Sequence, residues 1–221
     1  YRQVGRRAAQ RIVPTLLAAH AVPTEYRERR GDYLNLITER LIPEAGRRGL
    51  ARFCDVFVES GAFTIDEARR ILRAGQAAGL RPKLHADQLS AGGGAELAAE
   101  VGAASADHLE HISDEGIRRM AEAEVVAVSL PLATLYLNQR PLPARRLIEA
   151  GVPVAVATDF NPGSAPSFHL PLAMMLGCTL QRMTPAEVLA GATLVAAQAI
   201  GLEHEVGSLE VGKAADFAVI D

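Results

Sequence analysis

The sequence predicts an α/β fold in which parallel strands alternate with crossover helices. Short runs rich in valine, alanine and leucine alternate with longer amphipathic segments, at a spacing of about 20 to 40 residues. The later apolar runs are nearly continuous, which is typical of strands buried on both faces of a parallel sheet. With 221 residues, 49% of them hydrophobic and 22% charged, the chain is long enough for one large domain with a sizeable core.

Six apolar segments are predicted to be strands, and five segments between them are predicted to be helices. The strands are 11–20, 51–60, 81–87, 106–112, 124–130 and 152–159. The helices are 31–49, 64–79, 91–103, 114–123 and 143–151. The second helix has the clearest boundaries, because Thr64 and Glu67 have the spacing of a capping box and Gly79 closes the last turn.

The pattern changes after residue 159. Residues 170–180 and 184–202 are each predicted to form one helix, and the second has a Thr184 cap. Residues 205–221 are punctuated by glycine and end in a β-like run.

We therefore predict two domains. Residues 1–200 form the main α/β domain, and residues 201–221 are the C-terminal strands of a small second sheet domain. The chain starts without methionine in a helix-like polar pattern, so we interpret it as part of a longer protein.

Five of the six predicted strands end in a histidine or a carboxylate. The polar residues at these ends are His20, Glu59, His85, Asp87, Gln88, Asp107, His108, His111 and Asp159. In a parallel (β/α) barrel the carboxyl ends of the strands face one mouth, and that mouth holds the active site. The sequence therefore predicts a partial TIM-type (β/α) barrel with a polar site at this mouth.

Histidine and aspartate side chains that converge in a barrel mouth suit a divalent metal such as zinc or iron. A metal of this kind lowers the pKa of a coordinated water to near ~7. Asp159 is the candidate for accepting the proton of that water. The turn that follows it, with Pro162 and Gly163, would present backbone groups to a substrate.

Charge and composition argue against several classes of partner. The formal net charge of −3 gives no basic field for nucleic acid, and no apolar run reaches the ~18 residues that span a bilayer. Cys54 and Cys178 do not amount to a disulfide framework, so a cytoplasmic location is expected. A small molecule is the expected partner.

Five motifs resemble those of the imidazolonepropionase family of histidine degradation, which belongs to the amidohydrolase superfamily. They are HAVPTEY (20–26), KLHADQLS (83–90), ADHLEH (106–111), TDFNPGS (158–164) and VGSLEVGKAADFAVID (206–221). The resemblance covers essentially the whole chain. It implies a metal-dependent hydrolase barrel beside a small β-sandwich domain, and a homodimer. The implied reaction is hydrolysis of the cyclic amide of 4-imidazolone-5-propanoate to N-formimidoyl-L-glutamate.

The resemblance also implies roles for individual residues. His85 and Asp159 correspond to ligands of one divalent metal ion, zinc or iron. Asp159, His108 and Gln88 correspond to catalytic positions, with His108 activating or orienting the attacking water. The positions that correspond to contacts with the imidazolone ring and its propionate tail are His20, Gln88, Asn161, Gly163 and Ser164.

Two departures from the family pattern leave alternatives open. The family's first barrel strand carries a His-x-His metal pair, and this chain has none. Many relatives have glutamate where this chain has Gln88, and an amide cannot act as a base. The chain is therefore also compatible with another amidohydrolase, such as a deaminase or a dihydroorotase-like enzyme, or with a catalytically silent fragment.

Four further features have competing interpretations. Lys83 shares strand parity with His85, so a Schiff-base lysine is an alternative, although the histidines would then have no role. Glu59 is either part of the site or structural, and His111 is more readily explained as structural. The glycine run 92–94 fits neither phosphate-binding glycine motif.

Overall fold

The computed structural model describes residues 2–5 and 7–219 and is centred on a six-stranded sheet. All neighbouring strands are parallel and lie in chain order, as expected for part of a (β/α) barrel. This arrangement confirms the predicted fold class and all six strands, each of which is shorter than predicted. The strands are β1 (Thr15–Ala19), β2 (Phe53–Val58), β3 (Arg81–Ala86), β4 (Ser105–His108), β5 (Val126–Ser129) and β6 (Val154–Val156).

Helices connect the strands and continue after the last one. They are α1 (Arg2–Gly5), α2 (Arg30–Asn35), α3 (Ile42–Arg47), α4 (Ile65–Ala77), α5 (Gly94–Glu100), α6 (Asp114–Glu122), α7 (Pro131–Tyr136), α8 (Ala144–Glu149), α9 (Leu170–Gln181), α10 (Pro185–Ala192) and α11 (Leu194–Ala199). A 3₁₀ helix spans Thr24–Arg29, and the π-helical segment Leu36–Leu41 joins α2 to α3. Within the described part of the chain, no helix combines the length and the apolar character needed to cross a bilayer.

The start of α4 has the predicted capping box. The hydroxyl of Thr64 accepts a hydrogen bond from the backbone N–H of Glu67 at 3.3 Å, and the Glu67 carboxylate accepts one from the Thr64 N–H at 2.9 Å. The face of α4 that packs against β2 and β3 buries Ile71 and Leu72 completely. Burial of each of these side chains contributes about 1.5–3 kcal/mol, so packing contributes more to this helix than its cap does.

The two faces of the sheet differ in polarity. Glycines on the helices lie against one face, with Gly75 of α4 close to Cys54 and Gly94 of α5 close to Ala86. Side chains alternate along a strand, so the residues between these point to the other face. That second face carries Asp55 and His85, and it is the face on which the polar site is built.

The prediction of one helix over residues 184–202 is wrong. The backbone breaks at Thr193, with φ −125° and ψ −88°, and separates α10 from α11. The Thr193 hydroxyl donates to the backbone carbonyl of Leu189 at 2.7 Å, a side-chain bond to position i−4 that bends helices. Helix α7 was not predicted, because no element was assigned to residues 131–137 after the strand predicted over 124–130.

The predicted strands after residue 205 are not found in the described residues 203–219, where turns and bends are followed by irregular chain from residue 214. A strand is stable only when another strand pairs with it, and this segment has no partner strand among the residues described. Its large apolar side chains, such as Phe217 and Val219, are exposed, and an ion pair joins Asp216 to Arg11. Assignment of residues 201–221 to a second domain stays a prediction, and Ile220 and Asp221 lie outside the described residues.

Candidate active site

A cavity of about 510 Å³ opens at the carboxyl ends of the strands. All eight residues to which the resemblance assigns a role line it, although they come from the ends of β1, β3 and β4 and from the turn after β6. They are His20, His85, Gln88, His108, Asp159, Asn161, Gly163 and Ser164. The geometry therefore brings the candidates together, and their individual roles stay predictions.

His85 lies at the centre of a cluster of carboxylates. Its Nδ1 is 3.1 Å from Oδ1 of Asp55, and ligand atoms of Asp55, His85 and Asp107 lie within 4.8 Å of one another. Burial lowers the pKa of His85, but the carboxylates of Asp55, Asp107 and Asp159 outweigh it and raise the pKa to about 9. The cluster therefore favours a positive charge at this position, whether a proton or a metal cation.

Asp55 was not identified from the sequence, because it lies in the middle of β2 and not at its end. Strand parity is the signal that would have found it. In the parallel register Asp55 is aligned with Lys83, two residues before His85 and on the same face. A carboxylate on Nδ1 leaves the other nitrogen, Nε2, available to a ligand on the cavity side.

His108 is almost fully buried next to His85. Its side chain is 3% exposed, and the centroids of the two imidazole rings are 5.5 Å apart. Burial, followed by the positive charge of His85, lowers the pKa of His108 to about 3. His108 is therefore a neutral imidazole at physiological pH.

Three residues at strand ends, two of which line the cavity, have left-handed backbone. The φ angles are 49° at Asp87, 78° at His108 and 52° at Asp159, and Leu109 follows His108 with 68°. Residues other than glycine adopt this conformation at a cost of about 1–3 kcal/mol, and such residues cluster at functional sites. Each of the three turns the chain sharply at the end of a strand.

The side chain of Asn161 holds the turn after Asp159 together. Its Nδ2 donates to the Asp159 carbonyl at 2.7 Å and to the Ser164 hydroxyl at 2.9 Å. Its Oδ1 accepts from the backbone N–H groups of Gly163 and Ser164 at 2.9 and 2.8 Å. Asn161 thus organises the loop that presents Asp159.

Asp87 and Glu59 brace the loop that carries Gln88. The Asp87 carboxylate accepts three hydrogen bonds from backbone N–H groups within residues 92–95, at 2.8, 3.2 and 2.9 Å. Glu59 accepts from the N–H groups of Leu89 and Ser90 at 2.8 and 3.3 Å. These contacts give both carboxylates a structural role, and they explain the glycine run as the place where α5 begins.

Lys83 is buried on the inner face, as its parity predicted. Its Nζ donates to the backbone carbonyl of Ala199 at 3.4 Å and lies 5.2 Å from the centre of the Phe53 ring. His111 is half-buried, and its backbone N–H donates to the carbonyl of Asp87 at 2.7 Å. Neither residue lines the cavity of about 510 Å³.

Proteins of similar sequence include enzymes named imidazolonepropionase. The chain is 60% identical over 210 residues to that of Geobacillus thermodenitrificans (strain NG80-2), with 95% of this chain and 50% of the relative covered. It is 53% identical over 219 residues to that of Myxococcus xanthus (strain DK1622), with 99% and 52% covered. The chain thus spans about half the length of these relatives.

Solved structures of similar fold include an adenosine deaminase and a Xaa-Pro dipeptidase. An adenosine deaminase from Xanthomonas campestris with bound zinc superimposes with a TM-score of 0.75 at 21% identity, covering 97% of this chain and 53% of the deaminase. A Xaa-Pro dipeptidase with bound methionine superimposes with a TM-score of 0.70 at 17% identity, covering 97% and 63%. At these identities the likeness shows the fold. The sequence profile of the Amidohydrolase family matches residues 31–221, which is most of the chain. The chain belongs to the amidohydrolase family.

Proposed function

We propose that the polypeptide containing this chain hydrolyses 4-imidazolone-5-propanoate to N-formimidoyl-L-glutamate with the help of one divalent metal ion. The observation that carries the proposal is the single cavity lined by His85, His108 and Asp159. The sequence identity of 53–60% to enzymes named imidazolonepropionase supports this choice of substrate.

The donor atoms around His85 fit a divalent cation. One imidazole and the carboxylates of Asp107 and Asp159 lie at this position, and this mixture of nitrogen and oxygen donors suits zinc or iron. His85 and Asp159 would hold the ion, with Asp55 on the far side of the imidazole. When bound, the ion would lower the pKa of a coordinated water to near ~7.

In this proposal Asp159 moves the proton. Burial raises the pKa of its carboxyl group, His85 opposes this shift, and Asp107 adds to it. A carboxylate with a raised pKa is a better proton acceptor. In the hydrolysis, a water oxygen bonds to the ring carbonyl carbon and its proton passes to Asp159. The ring carbon–nitrogen bond then breaks, and Asp159 returns the proton to the departing nitrogen.

The other residues at the cavity bind the substrate and orient the water. Neutral His108 is positioned to orient the attacking water, and Gln88 can hydrogen-bond a ring nitrogen but cannot act as a base. His20 is stacked on Phe57, with ring centroids 5.4 Å apart, and forms one wall for the imidazolone ring. Asn161, Gly163 and Ser164 also line the cavity, and in this proposal they bind the propionate tail.

We also propose a cytoplasmic location and a homodimer. Cys54 and Cys178 are both free thiols, which suits a reducing compartment. Sedimentation of the full-length polypeptide tests the dimer, and a monomer at micromolar concentration would contradict it.

The decisive experiment is turnover by the full-length polypeptide. Incubation with imidazolone propionate and zinc or iron is expected to produce formimidoylglutamate, and removal of the metal with a chelator is expected to stop the reaction. Absence of product above background in the presence of metal would overturn the proposal. Metal analysis tests the alternative that the chain is a catalytically silent fragment. A silent fragment is expected to retain no stoichiometric zinc or iron after gel filtration.

A further inference from the structure

Two buried polar atoms that face each other have no hydrogen-bond partner among the described residues. They are Nδ1 of His108 and Oε2 of Glu110. The side chains are 3% and 1% exposed, and the two atoms are 4.0 Å apart. Buried polar groups in folded proteins are almost always hydrogen-bonded, so a facing pair of this kind requires an explanation.

Glu110 is held in place through its other carboxylate oxygen and its backbone carbonyl. Its Oε1 accepts a hydrogen bond of 2.6 Å from the hydroxyl of Thr134 on α7. Its backbone carbonyl accepts one of 2.5 Å from Nε of Arg140. With Oε1 held by Thr134, the second oxygen of the carboxylate is directed at the His108 ring.

The backbone at His108 and Leu109 turns so that the side chains of His108 and Glu110 face each other. His108 and Leu109 are both left-handed, with φ 78° and 68°, and two such residues in succession turn the chain back on itself. A leucine in this conformation is strained, and strain of this kind persists at functional sites where the surroundings enforce it.

A separation of 4.0 Å is too long for a hydrogen bond. Hydrogen bonds of catalytic groups are often long in unliganded structures and shorten when the substrate binds. Closing this gap would give a partner to both buried atoms at once.

We propose that Glu110 is the positioning residue of His108: its carboxylate accepts a hydrogen bond from Nδ1–H and leaves unprotonated Nε2 as the nitrogen presented to the cavity. A neutral histidine has one protonated nitrogen, and the partner of the other nitrogen determines which one it is. His108 then accepts a hydrogen bond from the attacking water. This role rests on the proposed function, whereas the tautomer assignment does not.

The test compares Glu110→Gln and Glu110→Asp in the full-length, metal-loaded polypeptide. In Glu110→Gln the Thr134 hydroxyl continues to donate to Oε1, so the amide nitrogen faces His108 and donates to Nδ1. The proton of His108 therefore moves to Nε2. We expect kcat to fall by ~10- to 100-fold, the range for loss of an orienting carboxylate, with KM and metal content changed little. Glu110→Asp keeps the acceptor and should recover part of kcat.

Two further readouts separate positioning from a structural role. Glu115→Gln is the matched control, because Glu115 is an exposed glutamate whose ion pairs within the described residues are with arginines of its own helix. The kcat of this variant should equal that of the wild type. Nitrogen-15 NMR of labelled histidine reports the tautomer directly. Burial raises the pKa of the Glu110 carboxyl group to about 7, so the spectra are recorded above that pH, where the carboxylate is ionised. Under these conditions the wild type should show a protonated Nδ1 on His108, and Glu110→Gln should show a protonated Nε2.

Each outcome decides the proposal. A wild-type His108 with unprotonated Nδ1 overturns it, even if no Glu110 variant folds. An unchanged tautomer in Glu110→Gln also overturns it, even if activity falls, because the loss is then structural. If the wild type does not turn over imidazolone propionate but shows the expected tautomers, the proposed function fails and the positioning of His108 by Glu110 stands.

Discussion

Oδ1 of Asp55 lies 3.1 Å from Nδ1 of His85, on the side of the imidazole away from Nε2. The contact joins a buried carboxylate of β2 to the proposed metal ligand of β3. A carboxylate in this position fixes the orientation of the ring and makes it a more basic ligand. The first prediction follows from this pair.

Asp55→Asn is expected to weaken metal binding by ~10- to 100-fold, the usual cost of losing such a partner. The amide can still accept the Nδ1 hydrogen, so the change removes mainly the charge. Competition with a chromogenic chelator measures the affinity. The exposed Asp114→Asn serves as the control, and equal affinities for the two variants would contradict the assignment of Asp55.

Asp159→Asn is expected to lower kcat by at least ~10²-fold and to leave the fold intact, because the amide cannot accept the proton. Gln88→Ala should mainly raise KM, with metal content unchanged. Ser164→Ala should have the mildest effect, because it loses one neutral hydrogen bond with Asn161, worth ~0.5–1.5 kcal/mol. Steady-state kinetics gives the order. An Asp159→Asn variant with more than about a tenth of wild-type kcat would show that Asp159 is not the base.

Gly94→Ala is expected to reduce the free energy of unfolding by about 1–3 kcal/mol, the usual cost of overpacking. The added Cβ would lie 2.6 Å from the Cβ of Ala86, so α5 would have to move away from β3. Gly31→Ala is the matched control, because a Cβ there meets nothing within 4 Å, and it should be neutral or slightly stabilising. Urea denaturation distinguishes the two, and equal stabilities would show that α5 has room.

The two cysteines are expected to differ in reactivity. Burial, followed by the negative charge of Asp55, raises the pKa of the Cys54 thiol to about 12. Only the thiolate reacts with iodoacetamide, so at pH 8 Cys54 should remain unlabelled while half-buried Cys178 is alkylated. Peptide mass spectrometry measures the labelling, with urea-unfolded protein as the positive control. Equal rates in the native protein would show that Cys54 is accessible.

The ion pair between Arg30 and Glu67 predicts a pH-dependent stability. The hydrogen bond from the Arg30 guanidinium, 2.5 Å from Nε to Oε1, lowers the pKa of Glu67 in the folded state. The stabilisation is therefore complete above the unfolded pKa, ~4.3, and is lost as the pH falls through the lower folded value.

Glu67→Gln keeps an oxygen for the capping bond to Thr64 but removes the charge. We expect it to cost about 1 kcal/mol at pH 7, and the difference from the wild type should disappear in acid. Urea titrations at neutral and acidic pH measure this difference. Glu122→Gln, at an exposed pair with Arg118, should change little at either pH, and a constant cost for Glu67→Gln would exclude the ion pair as its cause.

The groups that the sequence predicted correctly as neighbours are those at strand ends. His85 and Asp159 could be placed together because parallel strands all deliver their carboxyl ends to one edge. The contact between Asp55 and His85 could not be predicted in this way, because it depends on the register between β2 and β3. Glu110 was also missed, because its return toward His108 depends on a left-handed leucine, and leucine gives no signal of that conformation.

Helix boundaries could likewise be predicted where the signal is local, and could not where it depends on contacts distant in sequence. The start of α4 was predictable because the capping box is local, with both partners within three residues of each other. The break at Thr193 was not, because the sequence there continues a good helical pattern. The break is accompanied by tight packing of α10 against β6, where a Cβ on Gly191 would lie 2.8 Å from the backbone oxygen of Val154.

The left-handed residues that follow the strands restrict how this cavity can be redesigned. Positions 87, 108 and 159 have positive φ angles, which asparagine, aspartate, histidine and glycine adopt most readily. Substitution by valine, isoleucine or threonine there would destabilise the loop, whatever its effect on catalysis. A saturation library at all three positions would therefore consist mostly of poorly folded variants. A library limited to those four residue types samples 64 combinations, which is 4 × 4 × 4, and avoids this source of backbone strain.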